Sequence, residues 1–149
     1  MFTITKTTSQ NPKFLQLVSE LDKQLAIRNG SAHEFFAQFN KVDAIQHVIV
    51  AMDDTVAVGC GAIKVWDNKT MEVKRRYVIP DARGLGISKQ IITTLEQWAK
   101  ELGYSRCILE TKSDMVPAIK LYEKCGYQRI PNYDQYIDVS SSVCFQKKV

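Results

Sequence analysis

The chain has 149 residues, enough for one buried core and too few for two ordinary domains, so we predict a single domain spanning residues 1–149. Its composition, 45% hydrophobic and 24% charged, is that of a globular domain and excludes disordered, collagen-like and coiled-coil proteins. The formal net charge of +4 is too small to predict a nucleic-acid-binding protein, although it suits a small polyanionic ligand.

The sequence carries no pattern typical of secretion or of a membrane span. The first ten residues lack a basic stretch followed by an apolar run, and nowhere do about 18 apolar residues follow one another. The four cysteines form no Cys-x-x-Cys pair, so we predict buried free thiols rather than metal ligands: Cys60, Cys107, Cys125 and Cys144. These features favour a cytoplasmic protein that holds no metal and binds neither nucleic acid nor a membrane.

The first half of the chain predicts two helices followed by three strands. Apolar residues recur at helical spacing after Asn11-Pro12, which predicts a first helix that ends near Gly30. Ser31, with Glu34 three residues later, predicts a short second helix over 31–40 that begins with a capping box. Three β-rich stretches separated by Asp-containing turns then predict consecutive antiparallel strands, over 47–52, 56–65 and 71–78.

The second half predicts an alternation of helix and strand. An apolar stripe from Ile87 to Gly103 predicts a long helix, residues 107–111 predict a buried strand, and Pro117 and Gly126 bound a further helix. The last segment contains two weak strand signals around a polar loop over 132–142. This order predicts an α/β domain with a mostly antiparallel sheet.

The segment from Arg83 to Ser88 joins the third of these strands to the long helix. Unpaired backbone N–H groups and the dipole at a helix N-terminus attract an anion, and Gly84 and Gly86 allow conformations that expose successive amides. The turn therefore predicts a pyrophosphate site, with a basic rim formed by Arg83, Lys74, Arg75, Arg76 and Lys89. The alternative is a helix-initiating turn with an incidental basic rim.

Two other phosphate motifs do not fit this turn. The Rossmann fingerprint requires a third small residue where Lys89 stands, and the nucleotide P-loop requires a Gly-Lys-Ser/Thr sequence that is absent.

Several segments over 56–127 together resemble the GNAT superfamily of N-acetyltransferases. The acetyl-CoA loop of that family has the pattern Gln/Arg-x-x-Gly-x-Gly/Ala, whose fixed positions fall on Arg83, Gly86 and Ser88. Residues 72–78 and 118–127 resemble the family's fourth strand and its Leu-Tyr-Glu-Lys-x-Gly-Phe/Tyr segment. Two positions depart from the family pattern, because Ser88 replaces Gly or Ala and Met115 stands where many members have a cofactor-contacting Asn.

The resemblance implies a fold and a cosubstrate. The fold is a mixed, mostly antiparallel seven-stranded sheet that is splayed between strands four and five and flanked by about four helices. The cosubstrate is acetyl-CoA, whose pantetheine arm would pair with the backbone of Tyr77, Val78 and Ile79. Its pyrophosphate would lie on the turn formed by Arg83, Gly84, Leu85, Gly86, Ile87 and Ser88.

The implied chemistry is acetyl transfer to a primary amine of a small molecule or a peptide. Glu72 aligns with a glutamate base of the family, and the alternative is a solvated pair with Lys74 on the same strand. Tyr122 would protonate the departing thiolate, and the alternative is packing in the core. A backbone N–H near Val78 would hold the oxyanion. No cysteine has the partners of a nucleophile, so we predict direct attack in a ternary complex.

The acceptor pocket is predicted between the first two helices and the loop over 132–142. There Tyr133 and Tyr136 would contact the amine, and Asp134 and Asp138 would attract its charge. A non-catalytic acyl-CoA-binding sensor is the alternative function, because it needs the turn but neither Glu72 nor Tyr122. A protein-interaction module built on the phosphate loop is a third alternative. The sequence leaves open the identity of the amine and the oligomeric state, including a homodimer.

Overall fold

The structure of the protein is a computed structural model that describes residues 2–30 and 45–149. The predicted second helix over 31–40 lies outside the described residues. No helix in the described segments is long and apolar enough to cross a membrane.

Seven strands, three α-helices and two 3-10 turns follow one another in the described residues. In chain order they are β1 Phe2–Thr7, α1 Pro12–Asn29, β2 His47–Asp53, β3 Val56–Val65, β4 Thr70–Val78, a 3-10 turn Pro80–Ala82, α2 Ile87–Glu101, β5 Arg106–Lys112, α3 Val116–Lys124, β6 Gln128–Ile130, a 3-10 turn Asp134–Tyr136 and β7 Ser142–Lys148. The local pattern did not predict β1, because Phe2 and Ile4 are its only large apolar side chains.

The strands form one mixed sheet in the order β1-β2-β3-β4-β5-β7-β6. Strand β4 pairs with β5 in parallel, whereas β1 with β2, β2 with β3, β5 with β7 and β6 with β7 are antiparallel. The β4–β5 ladder runs only from the pair Thr70 and Arg106 to the pair Glu72 and Ile108. This ladder of three residue pairs is much shorter than either strand, which confirms the splay between strands four and five.

The chain divides into two compact units. The first contains the described parts of Met1–Lys64 together with Lys74–Leu95, and the second contains Val65–Val73 and Glu96–Val149. Strand β4 and helix α2 contribute residues to both units. Apolar side chains of α1, β2 and β3 form a core in the first unit: Phe14, Leu17, Val18, Val48, Val50, Cys60 and Ala62.

Helix α1 begins and ends with the capping residues that its sequence predicts. The Asn11 side chain accepts a hydrogen bond from the backbone N–H of Lys13 at 2.9 Å, and Pro12 occupies the first helical position. Gly30 ends the helix at a φ of +55°. Because the cap fixes where the helix starts, Phe14 and Leu17 face the core.

Helix α2 packs very closely against β3 within the first unit. A Cβ atom added at Gly59 would lie 2.9 Å from Cδ1 of Ile91 and 3.1 Å from the carbonyl oxygen of Tyr77, and one at Gly61 would lie 2.8 Å from Cγ2 of Ile91. Only glycine therefore allows this approach at the two positions.

Candidate functional site

The glycine turn leads from β4 into α2 and adopts the conformation that the sequence predicts. Gly84 and Gly86 have φ angles of +82° and +81°, in the left-handed region that disfavours side chains. A Cβ atom at either position would meet nothing within 4 Å, so open space adjoins both residues. Ile87 is buried, so only its backbone can contact a ligand, whereas Leu85 and Ser88 are exposed. The turn thus exposes backbone at the N-terminus of α2, where an anion is favoured.

The Arg83 side chain is folded back onto the end of β4. Its Nε donates to the carbonyl oxygen of Val78 at 2.9 Å, and its Nη2 donates to Oε1 of Gln24 at 3.3 Å. The guanidinium carbon lies 5.8 Å from the ring centroid of Tyr77, whose hydroxyl accepts a bond from Nε2 of Gln24 at 3.1 Å. Helix α1 and β4 therefore fix the charge of Arg83 beside the turn.

Arg75 does not contribute to the basic rim that the sequence predicted. Its side chain is buried, and its Nη2 donates to Oδ1 of Asp22 in α1 at 2.5 Å. Its backbone has a φ of +55° in the middle of β4, and its carbonyl oxygen accepts the thiol of Cys60 at 3.3 Å. A buried arginine that is paired in this way cannot reach a solvent-borne phosphate.

At the end of β4, the backbone N–H and C=O groups of Val78 point away from β3. The N–H of Ile79 donates to the carbonyl oxygen of Val58 on β3 at 2.9 Å. Successive residues of a strand direct their N–H and C=O groups to opposite edges, so those of Val78 point to the edge away from β3. Its carbonyl oxygen accepts the bond from Arg83 described above, and its N–H lies on the same edge.

Glu72 lies in the second unit, at the last residue pair of the β4–β5 ladder. Its Oε2 accepts a hydrogen bond from the hydroxyl of Tyr133 at 2.7 Å. The structure thus brings together one residue predicted as the base and one predicted as an acceptor contact. This pairing joins β4 to the loop before β7, two segments that are distant in sequence.

The rings of Tyr133 and Tyr136 are both buried. The Tyr133 ring makes edge-to-face contacts with Trp66 and Tyr136, each at a centroid distance of 5.7 Å. Burial, followed by the charge and the hydrogen bond of Glu72, raises the pKa of Tyr133 far above its ordinary value. Burial and the nearby Glu110 and Glu72 raise the pKa of Tyr136 as well.

The loop that carries these tyrosines is held by Asn132 and Trp66, which sequence reasoning missed. Nδ2 of Asn132 lies 3.0 to 3.1 Å from three carbonyl oxygens, those of Tyr136, Val139 and Ser142. Nε1 of Trp66 donates to Oδ2 of Asp134 at 2.6 Å. An Asn at the start of a polar loop is a signal for such bonding, but its partners cannot be read from sequence.

Tyr122 packs against the sheet face opposite the one that carries Glu72. Its ring lies 5.9 Å from that of Tyr127 and 6.1 Å from that of Phe145. Phe145 is paired with Leu109, whereas Glu72 is paired with Ile108, the neighbour of Leu109. Because side chains alternate between faces along a strand, Phe145 and Glu72 occupy opposite faces.

Met115, the other departure from the family pattern, is the N-cap residue of α3. Its side chain makes no capping hydrogen bond. No group of three or more His, Cys, Asp or Glu residues that could hold a metal ion occurs in the described parts of the chain.

The chain matches the model of the acetyltransferase (GNAT) family over residues 15–127. It is 33% identical to the IAA acetyltransferase of Azospirillum brasilense over 128 residues, which cover 84% of this chain and 83% of that one. It is also 33% identical to an uncharacterized N-acetyltransferase of Schizosaccharomyces pombe over 88 residues, 58% of this chain. That match spans only 54% of the length of the yeast protein.

Two solved structures share the fold. A Klebsiella pneumoniae protein described as a proposed acyl-CoA N-acyltransferase superposes with a TM-score of 0.82 at 27% identity, over 99% of this chain and 97% of that one. A GNAT family acetyltransferase of Elizabethkingia anophelis with acetyl-CoA bound superposes with a TM-score of 0.73 at 19% identity, over 99% and 98% of the two chains. The splayed sheet, the glycine turn and the family match agree, and the chain belongs to the acetyltransferase (GNAT) family of acyltransferases.

Proposed function

We propose that the protein transfers the acetyl group of acetyl-CoA to a primary amine of a small molecule or a peptide, by direct attack in a ternary complex. The donor supplies an acyl group activated as a thioester. The residues proposed to hold it are the backbone of Tyr77 to Ile79, the side chain of Arg83 and the backbone of the turn up to Ser88. They fit a pantetheine arm and a pyrophosphate, because the turn exposes backbone beside open space and the N–H of Val78 points away from β3.

One observation carries the proposal. Strand β4 loses its partner β5 after Glu72, and further along the same strand Val78 turns its N–H and C=O away from β3. An acid–base side chain therefore stands where the β4–β5 ladder ends, and the end of β4 presents a backbone N–H for the cosubstrate. A protein that only binds the cosubstrate would need the backbone N–H and not the carboxylate of Glu72.

The proposed steps use two side chains on opposite faces of the sheet. An alkyl ammonium of pKa about 10.4 is neutral at pH 7 in only roughly one molecule of 2,000, so the amine must lose a proton. Glu72 takes that proton, and the neutral amine nitrogen then bonds to the acyl carbon as the carbon–sulfur bond breaks. The second proton that the nitrogen loses when the amide forms is released to solvent. Tyr122 stabilises or protonates the departing thiolate from the other face.

Three of the four thiols of the protein support direct attack rather than an acyl-cysteine route. Burial raises the pKa of Cys60 and that of Cys107 to about 12, and the pKa of Cys144 to about 11. Thiols that stay protonated at neutral pH are poor nucleophiles. Four free cysteines also fit a reducing compartment, and we propose a cytoplasmic location on that basis.

The test is a screen for CoA release against polyamines, aminoglycosides, amino acids and peptides, with Glu72→Gln as the matched variant. We expect release with at least one amine, and a kcat about a hundredfold or more lower in Glu72→Gln, with little change in the Kd of acetyl-CoA. Activity of the variant should partly return at high pH, where solvent supplies the neutral amine.

Two results would contradict the proposal. A Glu72→Gln variant with the wild-type kcat at pH 7 would remove Glu72 from the mechanism. Tight acetyl-CoA binding without CoA release for any amine would favour the acyl-CoA-binding sensor instead.

A further inference from the structure

We propose that Tyr133 is a positioning residue that holds the carboxylate of Glu72 for proton transfer, rather than a contact for the acceptor amine. This inference rests on the proposed function, in which Glu72 is the base. It replaces the role that the sequence suggested for Tyr133.

The contact between the two side chains has the geometry of a strong hydrogen bond. The distance of 2.7 Å from the Tyr133 hydroxyl to Oε2 of Glu72 is typical of an O–H donor and a carboxylate. A donor at one carboxylate oxygen restricts rotation of the whole group. The carboxylate is therefore held in one orientation for proton transfer.

The Tyr133 ring is held firmly enough to fix that contact. The residue is only 9% exposed, and the rings of Trp66 and Tyr136 pack edge-to-face against its ring. The hydrogen bond from Trp66 to Asp134 ties the adjacent residue to the segment before β4. Asn132 holds the other side of Tyr133 through its bonds to the loop carbonyls.

The environment of Tyr133 also keeps it protonated. Burial, the charge and hydrogen bond of Glu72, and the ionisable groups of Cys144 and Tyr136 all raise the pKa of Tyr133. The phenol therefore donates its proton to Glu72 throughout the pH range in which enzymes of this kind are assayed. A buried hydroxyl that is already bound to Glu72 is a poor candidate for direct recognition of an amine.

The first test is kinetic and uses Tyr133→Phe, which removes the hydroxyl and keeps the ring. We expect kcat per folded molecule to fall by about ten- to hundredfold with the Kd of acetyl-CoA nearly constant, and the Tm to fall by only a few degrees because one hydrogen bond is lost. Tyr104→Phe is the matched control: it removes a phenol from the same unit, just after α2, and leaves kcat unchanged. A wild-type kcat in Tyr133→Phe would overturn the inference.

A double variant then asks whether Tyr133 acts through Glu72. In a Glu72→Gln background, adding Tyr133→Phe should lower kcat by no more than about twofold, because the group that Tyr133 orients is already disabled. A purely structural role for Tyr133 would lower kcat by the same factor in both backgrounds. That additive result would overturn the inference.

The second test does not depend on activity or on the folding of a Tyr133 variant. With tyrosines labelled with ¹³C at Cζ, we expect the Tyr133 signal of the wild type to show no titration up to about pH 11. In Glu72→Gln the pKa of Tyr133 should fall, because a negative charge and a carboxylate acceptor that both disfavour the phenolate are removed.

The outcomes separate this inference from the proposed function. If both the Cζ chemical shift and the titration of Tyr133 are the same in Glu72→Gln and wild type, the two groups are not coupled and the positioning role fails, whatever the enzyme catalyses. If the titration shifts but Glu72→Gln keeps the wild-type kcat, Tyr133 does hold Glu72, but Glu72 is not the base.

Discussion

At the scale of single residues, removing the hydroxyl of Tyr122 distinguishes a catalytic role of this side chain from a packing role. Phenols are weaker acids than thiols by about 1.5 pKa units, so in the proposed mechanism the Tyr122 hydroxyl serves mainly as a hydrogen-bond donor to the leaving sulfur. We therefore expect Tyr122→Phe to lower kcat by about tenfold to a thousandfold, with the Kd of acetyl-CoA and the Tm nearly constant. Tyr127→Phe is the control, because it removes a hydroxyl from the ring that packs against Tyr122. We expect it to keep the wild-type kcat. A lower Tm with an unchanged rate per folded molecule would assign the hydroxyl to the core.

Single residues also mark the limit of what the sequence could predict about the site. Gly84 and Gly86 could be predicted, because their role depends on backbone conformation that glycine alone adopts easily. The roles of Arg75 and Tyr133 could not, because each depends on a partner more than fifty residues away, Asp22 for the first and Glu72 for the second. A charged or aromatic side chain does not reveal in sequence which distant group it contacts.

At the scale of elements, the packing of α2 on β3 depends on two positions that lack side chains. Gly59→Ala places a methyl group against Ile91 and against the carbonyl oxygen of Tyr77. We expect this change to lower the free energy of unfolding by about 1–3 kcal/mol, as overpacking does in cores, measured by urea denaturation. In an Ile91→Val background, which removes the clashing Cδ1 atom, the same change should cost less. An equal loss in the free energy of unfolding in both backgrounds would show that the added methyl group does not clash with Cδ1 of Ile91.

The sequence predicted some helices and strands better than others. Helices α1 and α2 carry apolar stripes, and α1 also has the predicted caps, so their positions followed from the sequence, whereas β1 has too few apolar residues to be recognised. The position of β7 between β5 and β6 has no local signal, because strand order depends on tertiary pairing. The resemblance to the family implied the splayed sheet, and the short β4–β5 ladder confirms it.

At the scale of the whole molecule, binding of the cosubstrate should be visible as a gain in stability. A ligand that binds only the native state at a hundredfold excess over its Kd stabilises by about 2.7 kcal/mol, which raises the Tm of a protein of this size by about 5–10 °C. We expect acetyl-CoA to give such a shift in a thermal denaturation assay, and NADH and ATP to give smaller ones.

Arg83→Glu should reduce the shift in Tm that acetyl-CoA causes, because it places a negative charge beside the proposed pyrophosphate position. An unchanged calorimetric affinity in that variant would make the turn merely structural.

The hydrogen bonding of the Asn132 amide nitrogen to three carbonyl oxygens has a consequence for how this loop can vary in sequence. The shape of the loop is set from within, while Ile137 is 64% exposed and Asp138 is also on the surface. Substitutions at such outward positions change the surface of the loop without disturbing the bonds that support Tyr133. A change at Asn132, by contrast, removes the contacts that hold three parts of the loop together, so the surface of this loop can vary more freely than its interior.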